Sequence, residues 1–109
     1  MAKQLTINNN GRVYTLEFNR ETVMAMERLG FDVNHVMEKP MTMLPMLFTG
    51  AFAMHHKALA QETVDGVYKT IKGKDKLLGA LVTMYRDTVD TLFDEPEEDE
   101  GNAVWETNF

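Results

Sequence analysis

The side chains of this sequence that could do chemistry are His35, His55, His56, the acids of residues 97–100 and the threonines. His55 and His56 are adjacent, so on a helix they point about 100° apart and cannot grip one metal as i, i+4 ligands do. His35 belongs to a different element. Glu97, Glu98, Asp99 and Glu100 could ligate a divalent cation but lack the spaced loop and glycine of an EF-hand. There is no cysteine and no serine, which leaves threonine as the only hydroxyl nucleophile of the Ser/Thr kind and excludes thiolate chemistry. No GxSxG, P-loop, GxGxxG or HExxH pattern occurs. The expectation is a protein that is not an enzyme and uses no cofactor and no metal, with its histidines on or near the surface.

The 109 residues suit one domain, and 44% hydrophobic with 26% charged residues is a globular composition. Net charge is −6, unevenly placed. Seven acids and no Lys or Arg lie in residues 94–109, which leaves ten acids against eleven basic residues elsewhere, a body of +1. A near-neutral body with an acidic tail argues against nucleic-acid binding, which needs a concentrated basic face. Residues 1–10 hold no apolar run, so no secretory signal is expected. The longest apolar run, residues 43–54, is too short to span a bilayer.

The elements that must position any site follow from periodicity. Leu5 and Ile7, then Tyr14, Leu16 and Phe18, alternate with polar residues around Asn9-Asn10-Gly11, which predicts a β-hairpin over about 4–18. Asn19 is suited to cap a helix carrying Val23, Met26 and Leu29, and Gly30-Phe31 to end it. Asp32 or Asn34 starts a turn through Val33, Val36 and Met37, closed by Lys39-Pro40. Thr42 then caps a helix over about 43–58, in which Thr49 is the only polar side chain before His55 and Pro45 falls in the first turn. Val64, Val67, Tyr68 and Ile71 mark one amphipathic helix. Leu78, Leu81, Tyr85, Val89 and Leu92 mark another, capped by Asp75. The expected fold is α+β and predominantly helical. A two-stranded hairpin precedes four to five helices packed around the central apolar one, in one domain over 1–93. Residues 94–109 form an acidic tail, expected to be disordered.

Two apolar groups exceed what a core requires. Met24, Met26, Met37, Met41, Met43 and Met46 crowd into residues 24–46, and methionine serves both as core filler and as an adaptable contact surface. Val104, Trp105 and Phe109 sit among acids, either folding back as a strand or turn or forming a short linear motif. The candidate partner-binding residues are Met41, Met43, Leu44, Met46, Leu47, Phe48, Trp105 and Phe109.

The segment RVYTLEFNRETVMAMERLGFDV resembles the tail assembly chaperones of long-tailed phages and prophages of Gram-positive bacteria. The likeness runs over about residues 5–93. It rests on Tyr14, Leu16 and Phe18 in the hairpin, on Glu27, Gly30 and Phe31 at the end of the next helix, and on the apolar helix from Leu44 to Lys57 with its small middle and basic end. The resemblance implies a chaperone in the host cytoplasm that coats the tape measure protein and helps recruit the major tail protein. It names no ligand residues. Self-association through uncovered apolar faces is a further expectation. The alternative is a small regulatory adaptor or inhibitor that binds a partner through Trp105 and Phe109.

Overall fold

Asn10 and Gly11 both take positive φ, 54° and 81°, and turn the chain between β1 (Gln4–Asn9) and β2 (Arg12–Glu17). Two central residues with positive φ match the right-handed strand twist, which is why Asn-Gly serves here. The antiparallel register sets Leu5 opposite Leu16 and Ile7 opposite Tyr14, so the apolar side chains share one face. The structure, a computed structural model, describes residues 3–94 and 103–109.

Four helices follow the hairpin: α1 (Arg20–Arg28), α2 (Pro40–Phe52), α3 (Gln61–Thr70) and α4 (Lys74–Asp90). Asn19 opens α1 through a reciprocal capping box. Its Oδ1 accepts the Thr22 N–H at 2.8 Å, and the Thr22 Oγ1 accepts the Asn19 N–H at 2.9 Å. At the other end Gly30 has φ 98°, the Phe31 N–H donates to the Met26 carbonyl and the Gly30 N–H to the Glu27 carbonyl, each at 3.0 Å. This paired arrangement satisfies two carbonyls of the last turn and buries Phe31 beside Met26. A 3-10 turn at Val33–His35, capped by Asp32, leads to α2.

Several boundaries differ from the sequence expectation. Pro40 does not end the preceding turn; it is the first residue of α2, where a missing N–H is harmless, and Lys39 rather than Thr42 is the cap. Pro45 therefore lies inside the helix instead of in its first turn, and it offers no N–H to the Met41 carbonyl. The helix stops at Phe52, short of the expected 58. Gly73, with φ 70°, is the N-cap of α4, and Asp75 falls in its first turn. A 3-10 turn at Thr91–Phe93 ends α4 early and carries Leu92 off the buried stripe. Of the expected tail, residues 95–102 lie outside the described residues, and 103–109 hold no helix or strand.

The core gathers Leu16 and Phe18 from the hairpin end, Leu47 and Phe52 from α2, and Leu81 from α4. Packing of α2 engages β2, α1, α3 and α4. Tyr85 on α4 meets Phe18 and Phe31 edge-on, with ring centroids 5.5 Å and 4.9 Å apart. Burial, with smaller contributions from the charges of Glu27 and Asp32, pushes its phenol up to about 12. Among the described residues, no helix is long and apolar enough to cross a membrane.

Candidate functional site

Where α1 crosses α2, the side chain of Met26 lies directly on the backbone of Gly50. A Cβ at Gly50 would stand 2.5 Å from the Met26 Sδ and 2.8 Å from its Cε, so a larger residue here must push that side chain aside. Beside this contact the two helices line an open cavity of about 590 Å³. Ala25 and Leu29 form its α1 wall, and Pro45, Met46 and Ala53 its opposite wall. Polar groups are confined to Glu21, Thr22, Thr49, Lys57 and Gln61. Gln61 is itself held, donating to Thr49 Oγ1 and Asp65 Oδ1 at 3.0 Å each. An apolar cleft of this size with few polar groups suits non-covalent capture of apolar side chains.

A second cluster joins the histidines to the hairpin. Glu17 is only 7% exposed, although it lies on the hairpin face opposite Leu16. Its Oε1 accepts from Gln4 Nε2 and from His55 Nε2, both at 2.8 Å. The His55 hydrogen bond, helped by Gln4 and opposed by burial, holds this carboxyl below its usual value of 4.5. Next to it, His56 Nε2 accepts the Thr15 backbone N–H at 3.0 Å, which fixes that nitrogen as the unprotonated one. Thr15 sits on the outer edge of β2, and the imidazole occupies the place a third strand would take. Both histidines thus lock the segment after α2 onto β2. Among the described residues, no group of three or more His, Asp or Glu is placed to hold a metal ion.

A family model, the domain of unknown function DUF5055, matches residues 1–109. The chain belongs to this family. Comparison with curated proteins and with solved structures returned no match.

The residues singled out in the sequence fall into three places in this DUF5055 chain. Met43, Leu47 and Phe48 are buried in the core. Met46 is partly buried and lines the cleft, Leu44 is partly buried against the core, and Met41 is 90% exposed. Met41 stands one turn before Pro45, so it extends the α2 wall beyond the cleft. Trp105 and Phe109 are exposed and do not join these residues. Sequence reasoning missed the α1 wall. It assigned Leu29 to the buried stripe of Val23 and Met26, yet Leu29 is 76% exposed. Leu29 is the C-cap of α1, and its side chain lies on the open cleft instead of in the core.

Proposed function

We propose that this DUF5055 chain is a non-enzymatic tail assembly chaperone of a long-tailed phage or prophage. It binds the tape measure protein, assists tail tube assembly with the major tail protein, and acts in the cytoplasm of the bacterial host. The observation that carries this reading is the open apolar cleft between α1 and α2, continued by exposed Leu29 and Met41. A helical client segment can lay its apolar face into such a cleft, as helix-in-groove partners do. In this reading α2 organises the domain. One side supplies core through Met43, Leu47, Phe48, Ala51 and Phe52, and the other supplies contact surface through Met41, Pro45 and Met46. The acids from Asp94 onward keep the complex dispersed. Co-expression tests the proposal. The tape measure protein is expected in the soluble fraction only when this chain is present, and equal solubility without it refutes the role.

The adaptor reading retains one favourable observation, the exposure of Val104, Trp105 and Phe109 outside the domain. Truncation after Phe93 separates the two readings. Partner binding that survives the truncation excludes the tail as reader, whereas binding lost with the tail favours the adaptor.

A further inference from the structure

We propose that residues 103–109 fold back and dock in the α1–α2 cleft of their own chain, with Trp105 and Phe109 filling it. The segment occupies the client surface and must leave before a client can enter. Three observations support this occupant.

The first is apolar surface on both sides. Trp105 is 83% exposed and Phe109 wholly so, a large unfavourable area in water. Their i, i+4 spacing lets one helical turn set both rings on one face, about 6 Å apart. The cleft, about 590 Å³ and walled by Ala25, Leu29, Pro45 and Met46, has room for two such rings.

The second is reach. Arg20 Nε donates to Thr91 Oγ1 at 3.1 Å, and a second guanidinium nitrogen donates to the Thr91 carbonyl, so the end of α4 is tied to the first turn of α1. Glu21 and Thr22, the next two residues, already line the cleft. From Asp94 to Trp105 the chain can extend about 36 Å, whereas the nine residues of α1 rise about 13 Å. The chain from Asp94 is therefore long enough to carry Trp105 along the whole length of α1 without a second copy.

The third is charge. Lys57 lines the cleft and has no carboxylate within ion-pair distance among the described residues. Glu106 stands between the two aromatic residues and carries the opposite charge to it. The single acid of the lining, Glu21, neighbours Arg20.

Trp105 is the only tryptophan, so its fluorescence reads the contact directly in the full-length chain, with no client present. Acrylamide quenching is compared with that of a synthetic peptide of residues 103–109. The expected result is quenching several-fold weaker in the chain than in the peptide, independent of protein concentration. Leu29→Glu at the C-cap of α1 and Ala25→Glu within it, both at exposed positions, are each expected to restore peptide-like quenching with the far-UV circular dichroism unchanged. Peptide-like quenching in the unsubstituted chain overturns the proposal, as does protection that persists in both variants. Protection that grows with concentration also overturns it, by assigning the contact to a second copy. The chaperone reading does not depend on this outcome, since it is tested by the client's solubility.

Discussion

Met26 Sδ occupies the space a Cβ on Gly50 would need, so the methionine of α1 lies against the backbone of α2. Gly50→Ala gains up to about 1 kcal/mol of helix propensity but forces the methionine aside, a repacking that costs about 1–3 kcal/mol. The two terms nearly cancel at the low end, so a net loss of up to about 2 kcal/mol is expected, read as a lower midpoint in chemical denaturation. Adding Met26→Ala makes room, so the double variant is expected to lose less than the sum of the two singles. Additive losses would show that the contact does not limit the helix approach.

Leu47 is fully buried on α2, so Leu47→Asp places an unpaired carboxylate in the core. The loss of burial alone is about 1.5–3 kcal/mol, and the buried charge adds to it. No cooperative thermal transition is expected for this variant. A melting curve like that of the unsubstituted chain would contradict the place given to α2.

Glu17 makes acid stability a further test. Its carboxyl is lowered in the folded state, chiefly by the hydrogen bond from His55, so on acidification the unfolded chain takes up the proton first. The stabilisation is fully present above the unfolded value of about 4.5 and is lost as pH falls through the lower folded value. Below pH of about 4.5, unfolding free energy is therefore expected to fall more steeply in the unsubstituted chain than in Glu17→Gln. Parallel curves would place Glu17 outside the hydrogen-bonded cluster.

His56 can be tested at a single amide. Protonated at Nε2, or replaced by phenylalanine, it can no longer accept the Thr15 N–H. Hydrogen exchange of the Thr15 amide is expected to quicken by about tenfold or more in His56→Phe, in line with about 1–3 kcal/mol for a lost acceptor. The neighbouring hairpin amides paired with β1 are expected to keep their rates. An unchanged rate at Thr15 would refute the edge contact.

The sequence was most legible where local chemistry decides the structure. Asn10-Gly11 announced the hairpin turn, and Asn19 with Gly30-Phe31 announced both ends of α1, because each is a short-range hydrogen-bonding device. Reading failed where tertiary contact decides. Pro40 could equally stop one element or start the next, and only the packing of α2 shows that it starts one. The apolar run of residues 43–54 could not say which side chains are covered, because apolarity all round erases the helical period. Met43 and Met46 look alike in sequence, yet one is core and the other lines the cleft. Leu29 kept the period of the buried stripe but projects where no neighbour covers it. The pairing of Glu17 with His55 spans 38 residues and left no trace in local pattern.

The most direct test of the account is retention of the tape measure protein by three forms of this chain during affinity purification: unsubstituted, Leu29→Glu, and Arg86→Glu as a charge change at an exposed position of α4. The account predicts that the unsubstituted chain and Arg86→Glu retain the client and that Leu29→Glu loses it at least tenfold. Equal retention by all three, or none by the unsubstituted chain, would contradict a client site between α1 and α2.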